Sequence, residues 1–310
     1  MVTDILRTIF GVALLYIGAE WLVKGAAGLA LALRIRPVVV GATVVAYATS
    51  APELTVSVAA AIEGKSAIAL GNVIGSNIAN LGLILGLTAL IAPPRVTPGL
   101  LRRELPVLGV TALLPLLMLR DGVISRPEGA VLLLGALAFT LWMLRAGADA
   151  GAVPAPESGR RLGKLALAAI ALVGLAMLVG GGKVFVDGAV GIARVAGISD
   201  RVVGLTIVAV GTSLPELAAS VVAAIRGHAE IAIGNVIGSN IFNVALILGA
   251  AAVVHPLEGS LPALRLDLVA LIALTAFAIV ALRTERMLKR WEGAILLVGY
   301  VAFLVSLAAP

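Results

Sequence analysis

The chain reads as an all-α polytopic membrane protein: ten transmembrane helices in two inverted five-helix repeats. Three observations lead there. First, 61% of its 310 residues are hydrophobic, only 13% are charged, and the mean hydropathy is +1.12, a composition outside the range of soluble domains. Second, apolar runs of about 20 residues, the length of a membrane-spanning helix, recur along the whole sequence, where a transmembrane barrel would show short alternating segments. Third, residues 39–80 and 202–243 align without a gap, 28 of 42 positions being identical.

Spans are expected near 5–31, 38–62, 67–92, 102–119, 128–145, 163–191, 202–225, 230–254, 265–282 and 291–308. The first follows no cleavable signal pattern and is expected to be retained. The second and third carry the first copy of the duplicated block. Arg102, Arg103 and Glu104 flank the start of the fourth and read as topology-setting charges. The fifth is followed by AGADAGAVPAPESGRR, rich in Ala, Gly and Pro, which reads as a linker. The sixth is long and glycine-rich (Gly180, Gly181, Gly182), the seventh and eighth hold the second copy, and the last two complete the second half. The expected organisation is therefore a first repeat over 1–146, a cytoplasmic linker over 147–162 and a second repeat over 163–310. The 163-residue offset also matches Gly25 with Gly188 and Leu85 with Leu248, beyond the duplicated block. Five is odd, so two homologous five-span units enter the membrane from opposite sides.

Placing the amino terminus outside puts 15 Lys and Arg on the cytoplasmic side and 8 on the other. The positive-inside rule then puts both termini outside the cytoplasm of a cell (inner) membrane. The net charge of +6 belongs to those loops, and no nucleic-acid partner is inferred from it. There is no cysteine, which removes disulfides, thiolate chemistry and Cys metal sites. His228 and His255 sit near span ends and read as interfacial. Trp21, Trp142, Trp291 and Tyr300 suit interfacial belts.

The chemistry lies in the duplicated block. Each copy places a glutamate, Glu53 or Glu216, inside an apolar run, where an ionisable group is costly and marks function. Pro52 and Pro215 precede them. A proline inside a helix removes a donor and crowds the carbonyl four residues back, here that of Ala48 or Gly211, and a freed carbonyl in a membrane needs another partner. Thr49 and Ser50 share the face of Glu53, and Ser57 extends it; Thr212, Ser213 and Ser220 do the same for Glu216. In the following span Asn72, Ser76 and Asn80 form an oxygen-bearing stripe, repeated by Asn235, Ser239 and Asn243. Gly71 and Gly75, four apart, are expected to admit a neighbouring backbone. Carboxylate, amide and hydroxyl oxygens are hard ligands suited to Na⁺, Ca²⁺ or Mg²⁺, not to zinc or copper. Away from this block, Glu20, Lys24, Lys183 and Asp187 are expected near the ends of spans one and six, snorkelling to the interface or pairing there.

These motifs, GTSLPE with GNVIGSNIFN in the second copy and ATSAPE with GNVIGSNIAN in the first, closely resemble the two α-repeats of the calcium/cation antiporter superfamily, in its prokaryotic sodium/calcium exchanger branch. The resemblance covers nearly the whole chain. It implies that Glu53 and Glu216 ligate Ca²⁺ and share Na⁺. It implies oxygens from Thr49, Ser50, Thr212 and Ser213 and from the carbonyls of Ala46 and Ala209. It places Ser76 and Ser239 at flanking Na⁺ sites and Asn80 and Asn243 at the centre. It also implies that spans one and six slide across the rest. The chain departs from the pattern at Ala48, where the motif has glycine, and at Asn243, where some members carry an aspartate; at most two carboxylates serve the site.

The leading reading is a secondary antiporter rather than an enzyme, exchanging Na⁺ for Ca²⁺ with no cofactor and no obligate protein partner. Two carboxylates neutralise one Ca²⁺, so exchange for more than two Na⁺ moves net charge, worth about 2.3 kcal/mol per charge per 100 mV. A proton-coupled Ca²⁺ or other divalent exchanger and a cation channel are the alternatives. Only one pair of acids is visible, whereas selectivity rings need several copies. An intramembrane hydrolase lacks a Ser-His or Cys-His arrangement and an H-E-x-x-H motif. Protons compete with cations for the same carboxylate oxygens, so Ca²⁺ transport is predicted to fall as the pH is lowered through the acidic range. A rate independent of pH there contradicts coordination by ionised carboxylates.

Overall fold

The computed structural model describes residues 1–96, 98–148, 162–196, 209–284 and 286–308. Its first half contains α1 (Val2–Leu33), α2 (Pro37–Thr49), α3 (Ala51–Ile62), α4 (Ser66–Ile91), α5 (Pro98–Met118), the two-residue strand β1 (Val123–Ile124) and α6 (Arg126–Ala148). Its second half contains α7 (Lys164–Val195), α8 (Ala209–Gly211), α9 (Leu214–Ile225), α10 (Ala229–Val254), β2 (Leu257–Glu258), α11 (Arg265–Thr284) and α12 (Arg290–Ala308). Among the described residues seven helices are long and apolar enough to cross a bilayer, and the bent pair α2–α3 makes an eighth. The expected ten differ for two reasons. Span 102–119 is α5, a full-length helix whose Arg102, Arg103 and Glu104 lower its apolarity. Span 202–225 is described only in α8 and the short α9. Most of the expected linker lies outside the described residues.

Local signals set the boundaries. Arg34 closes α1 in the left-handed conformation (φ 58°), and Pro37 opens α2 where its missing N–H is not needed. Gly64 and Gly227, at φ 69° and 79°, turn the chain after α3 and α9. Glu128 and Glu292 reach back to the backbone N–H groups of Ser125 and Lys289, both at 2.8 Å, starting α6 and α12.

α4 and α10 form the centre: 72% and 83% of their apolar windows are buried, against 22% and 33% for α1 and α7. α1 and α7 are equivalent by the 163-residue offset and run antiparallel. A Cβ on Gly18 would lie 2.8 Å from Gly174 O, one on Gly25 2.7 Å from Leu167 O, and one on Gly188 2.7 Å from Asp4 O. Gly18 faces Gly174 and Gly11 faces Gly181, while Gly25 meets Leu167 and Ala171 and Gly188 meets Asp4 and Thr8; the glycines of each helix recur every seven residues, so the two backbones approach along the seam. Small residues of this kind let dispersion contacts hold helices together where lipid supplies no hydrophobic drive. The outer faces of α1, including Ile5, Leu6, Ile9 and Phe10, are exposed apolar surface.

The same two-fold relation recurs elsewhere. Gly86 of α4 meets Gly293 of α12, and Gly249 of α10 meets Gly129 of α6. Val123 and Ile124 pair antiparallel with Glu258 and Leu257, and Arg95 bridges Met287. Gly259 N donates to Gly122 O (2.9 Å) as Val96 N does to Arg286 O (2.7 Å), so each half is tied to the other by matching loop bonds.

Four expectations change. Tyr300 is buried against Gly82 rather than at an interface, because that glycine opens room for its ring. Glu104 is 2% exposed and faces inward near Arg36 and Arg103, so it is more than a flanking charge. Glu20 lies well inside α1 rather than near its end, and of the two behaviours expected for it, it pairs, with Arg226. A Cβ on Gly71 or Gly75 would meet no described residue within 4 Å, whereas one on their equivalents Gly234 or Gly238 would lie 2.5 Å from Val38 O or 2.6 Å from Ala42 O. The segment equivalent to Val38–Ala42 is 201–205, outside the described residues.

Gly174→Ala drives a methyl into the α1 backbone, 2.6 Å from Gly18 O, whereas Gly180 has open space. Gly174→Ala is predicted to destabilise by ~1–3 kcal/mol and Gly180→Ala to be neutral or stabilising, read as thermal midpoints in detergent.

Candidate functional site: a buried carboxylate pair

Each glutamate is set by a helix break. α2 ends at Ser50 (φ −82°, ψ 7°) and α3 begins at Ala51, the two bent by 46°. In the second half Ser213 (φ −88°, ψ 7°) does the same before α9. Pro52 and Pro215 therefore occupy the first turn of a new helix, where no N–H is required. Glu53 and Glu216 follow in that first turn, at the positive end of the helix dipole, which favours an anion. Both are nearly inaccessible, at 1% and 2% exposure.

The two halves hold each other's acid. Ser50 Oγ donates to Glu216 Oε1 (3.0 Å), and Ser213 Oγ donates to Glu53 Oε1 (3.2 Å). The Thr212 and Thr49 side chains also act on Glu53 and Glu216, and the glutamates are close enough to feel one another's charge. In each case Oε2 is buried without a hydrogen-bond partner.

The amide residues divide into supports and free acceptors. Asn72 Nδ2 donates to Ser57 Oγ (2.8 Å) and to the Glu53 carbonyl (3.1 Å), and Asn235 Nδ2 donates to Ser220 Oγ (3.0 Å). Thr49 Oγ1 donates to Asn235 Oδ1 (3.2 Å). Asn243 Nδ2 donates to Asn77 Oδ1 (2.9 Å), and Asn77 Nδ2 to the Asn240 carbonyl (3.2 Å). These bonds turn the NH₂ groups of Asn240 and Asn243 to protein acceptors and leave their Oδ1 atoms buried and unpartnered, as are Asn80 Oδ1 and Ser239 Oγ. Buried polar atoms are almost always satisfied. Oxygens of Glu53, Glu216, Asn80, Asn240, Asn243 and Ser239, with those of Thr88 and Glu104 elsewhere, are buried and unpartnered; oxygens of this kind are the ligand type a hard cation takes.

The other expected residues are placed as follows. Asn80 and Asn243 each open a π-helical stretch, 80–85 and 243–248, inside α4 and α10, a distortion common at functional sites. Ser76 is buried on α4, one turn before Asn80. The Ala46 carbonyl accepts the Ser50 N–H at 3.1 Å, while Ser213 N donates to Val210 O at 3.1 Å, so the carbonyl of Ala209 is spared that bond. Thr212 lies in the turn between α8 and α9. Sequence reasoning counted Asn72 and Asn235 among the oxygen donors, whereas their amides brace Ser57 and Ser220. It gave no role to Asn77 and Asn240; their identity in both copies of the GSN segment was the available signal. Among the described residues no group of three or more His, Cys, Asp or Glu is placed to hold a metal ion.

The family of sodium/calcium exchanger proteins matches residues 4–145 and 166–308. The putative antiporter CaxA of Alkalimonas amylolytica is 38% identical over 96% of this chain and 98% of its own length. The sodium/calcium exchanger MaX1 of Methanosarcina acetivorans is 35% identical over 98% of both chains. A solved structure of the sodium–calcium exchanger NCX_Mj, soaked with Na⁺ and Ca²⁺, superposes with a TM-score of 0.86 at 32% identity, covering 98% of each chain. With two matched halves, full-length relatives and a shared fold, this chain belongs to the sodium/calcium exchanger protein family.

Proposed function

We propose that the protein is a secondary antiporter that exchanges Na⁺ for Ca²⁺ at one site shared between Glu53 and Glu216. The observation that carries this reading is the pair of buried carboxylates, each with one oxygen bonded to the opposite half's serine and one oxygen free. Ca²⁺ takes several oxygens in flexible geometry. Two carboxylates cancel its charge, and Asn80, Asn243, Ser239 and the hydroxyls of Thr49, Ser50, Thr212 and Ser213 complete the shell, with Ser76 and the carbonyls of Ala46 and Ala209 extending it to flanking Na⁺. Coupling follows from competition: the same carboxylates cannot serve both ions at once. Exchange of more than two Na⁺ for one Ca²⁺ makes the cycle electrogenic.

In this reading the chain forms ten transmembrane helices, five in 1–146 and five in 163–310, inverted about an axis in the membrane plane and joined by a cytoplasmic linker over 147–162. Both termini lie outside a cell (inner) membrane. Support for the inversion comes from the antiparallel course of α1 and α7, which occupy equivalent places in the two halves.

In proteoliposomes loaded with Na⁺, labelled Ca²⁺ is expected to enter down the outward Na⁺ gradient, faster with an inside-positive potential. Glu53→Gln and Glu216→Gln are each expected to reduce that uptake by at least about tenfold, the scale of losing a charged ligand. Uptake indifferent to Na⁺ and driven by a pH gradient contradicts the Na⁺ coupling. Uptake surviving both substitutions contradicts the site.

A further inference from the structure

The two halves carry charges of opposite sign at equivalent places. By the 163-residue offset, Glu20 on α1 corresponds to Lys183 on α7, Lys24 to Asp187, and Arg226, just past α9, to Glu63, just past α3. Inverting both members of a pair preserves its attraction. One pair is formed: Arg226 donates through its guanidinium to Glu20 Oε1, and its Nη2 also donates to the Tyr16 hydroxyl at 3.2 Å. The equivalent pair is not. Glu63 binds Lys65 at 2.7 Å, and Lys183 makes no ion pair among the described residues.

Helix packing shows the same asymmetry. α9 packs against both α1 and α7, whereas α3, its equivalent, packs closely against neither. Val56 on α3 is 38% exposed, and its counterpart Ala219 on α9 is 1% exposed.

We propose that Glu20–Arg226 is a latch holding the α1–α7 pair against α9, and that Lys183–Glu63 is its mirror, formed when the pair moves across to α3. The latches close in alternation, and each seals one approach to Glu53 and Glu216. The assignment rests on the exchange mechanism above and adds the residues that define its two end states. The chemistry suits a reversible device. Lys24 stands four residues from Glu20 and Asp187 four from Lys183, within reach on the same helix face. Lys65 already holds Glu63. An exposed ion pair is also weak enough to bias an equilibrium without trapping it. A contact present in only one of two states shifts the balance by its own strength and no more.

The chain has no cysteine, so spin-label pairs can be placed at Trp21 with Ile225, beside the formed latch, and at Val184 with Ile62, the equivalent positions. In lipid nanodiscs without added Na⁺ or Ca²⁺, the 21–225 distance is expected to be short and the 62–184 distance long. Glu20→Gln or Arg226→Gln is expected to raise the population with the reverse pattern about threefold. Lys183→Gln is expected not to raise it, and the exchanged pair Glu20→Arg with Arg226→Glu is expected to restore the parental distribution. Distances unmoved by Glu20→Gln and Arg226→Gln, or moved the same way by Lys183→Gln, overturn the latch. Na⁺-driven Ca²⁺ uptake of each labelled parent separates this from the functional reading. A parent that exchanges while its distances ignore the substitutions refutes the latch alone. A parent that does not exchange refutes the proposed function, while the distances still decide the latch.

Discussion

Two carboxylates share a buried interior in a chain built to span a bilayer, and the rest of the structure answers to that constraint. An isolated charge in such a place is costly by several kcal/mol. Here the cost is offset in three ways. A proline-induced break puts each glutamate in the first turn of a helix, where the dipole favours an anion. A serine from the opposite half donates to one oxygen of each. The second oxygen has no protein partner, and in the proposed exchange mechanism it is the one a cation takes. Only the last of these varies during a transport cycle, so the stability of the interior is tied to the ion it holds.

The crossed serines make each half depend on the other. Ser50 serves Glu216 and Ser213 serves Glu53, so each half completes the other's ligand. Asn77 and Asn243, which bond across the same boundary, reinforce this dependence. Around the site the halves are packed through glycine: α1 on α7, α4 on α12, α10 on α6. Backbone-to-backbone contact of this kind leaves few interlocked side chains.

Much of this was legible in the chain itself. The duplicated block located both glutamates, the prolines and the serine and threonine hydroxyls, because intramembrane polar residues stand out against an apolar background. What escaped was what depends on distant partners. The bracing role of Asn72 and Asn235 follows from Ser57 and Ser220 on a neighbouring helix. Glu104 read as a flanking charge because its burial is set by tertiary packing near Arg36 and Arg103. Tyr300 read as interfacial because nothing local reveals the room beside Gly82. The loop ties Val123–Glu258 and Arg95–Met287 involve too few residues for any periodicity to announce them.

The central claim is that one carboxylate pair serves both ions. Equilibrium Ca²⁺ binding to the purified protein, titrated calorimetrically at rising Na⁺ with the total salt held constant, tests it most directly. The account predicts competition: Na⁺ weakens the apparent Ca²⁺ affinity progressively while the number of Ca²⁺ bound at saturation stays the same. Ca²⁺ binding unaffected by Na⁺, or Na⁺ lowering the capacity without changing the affinity, would contradict a shared site.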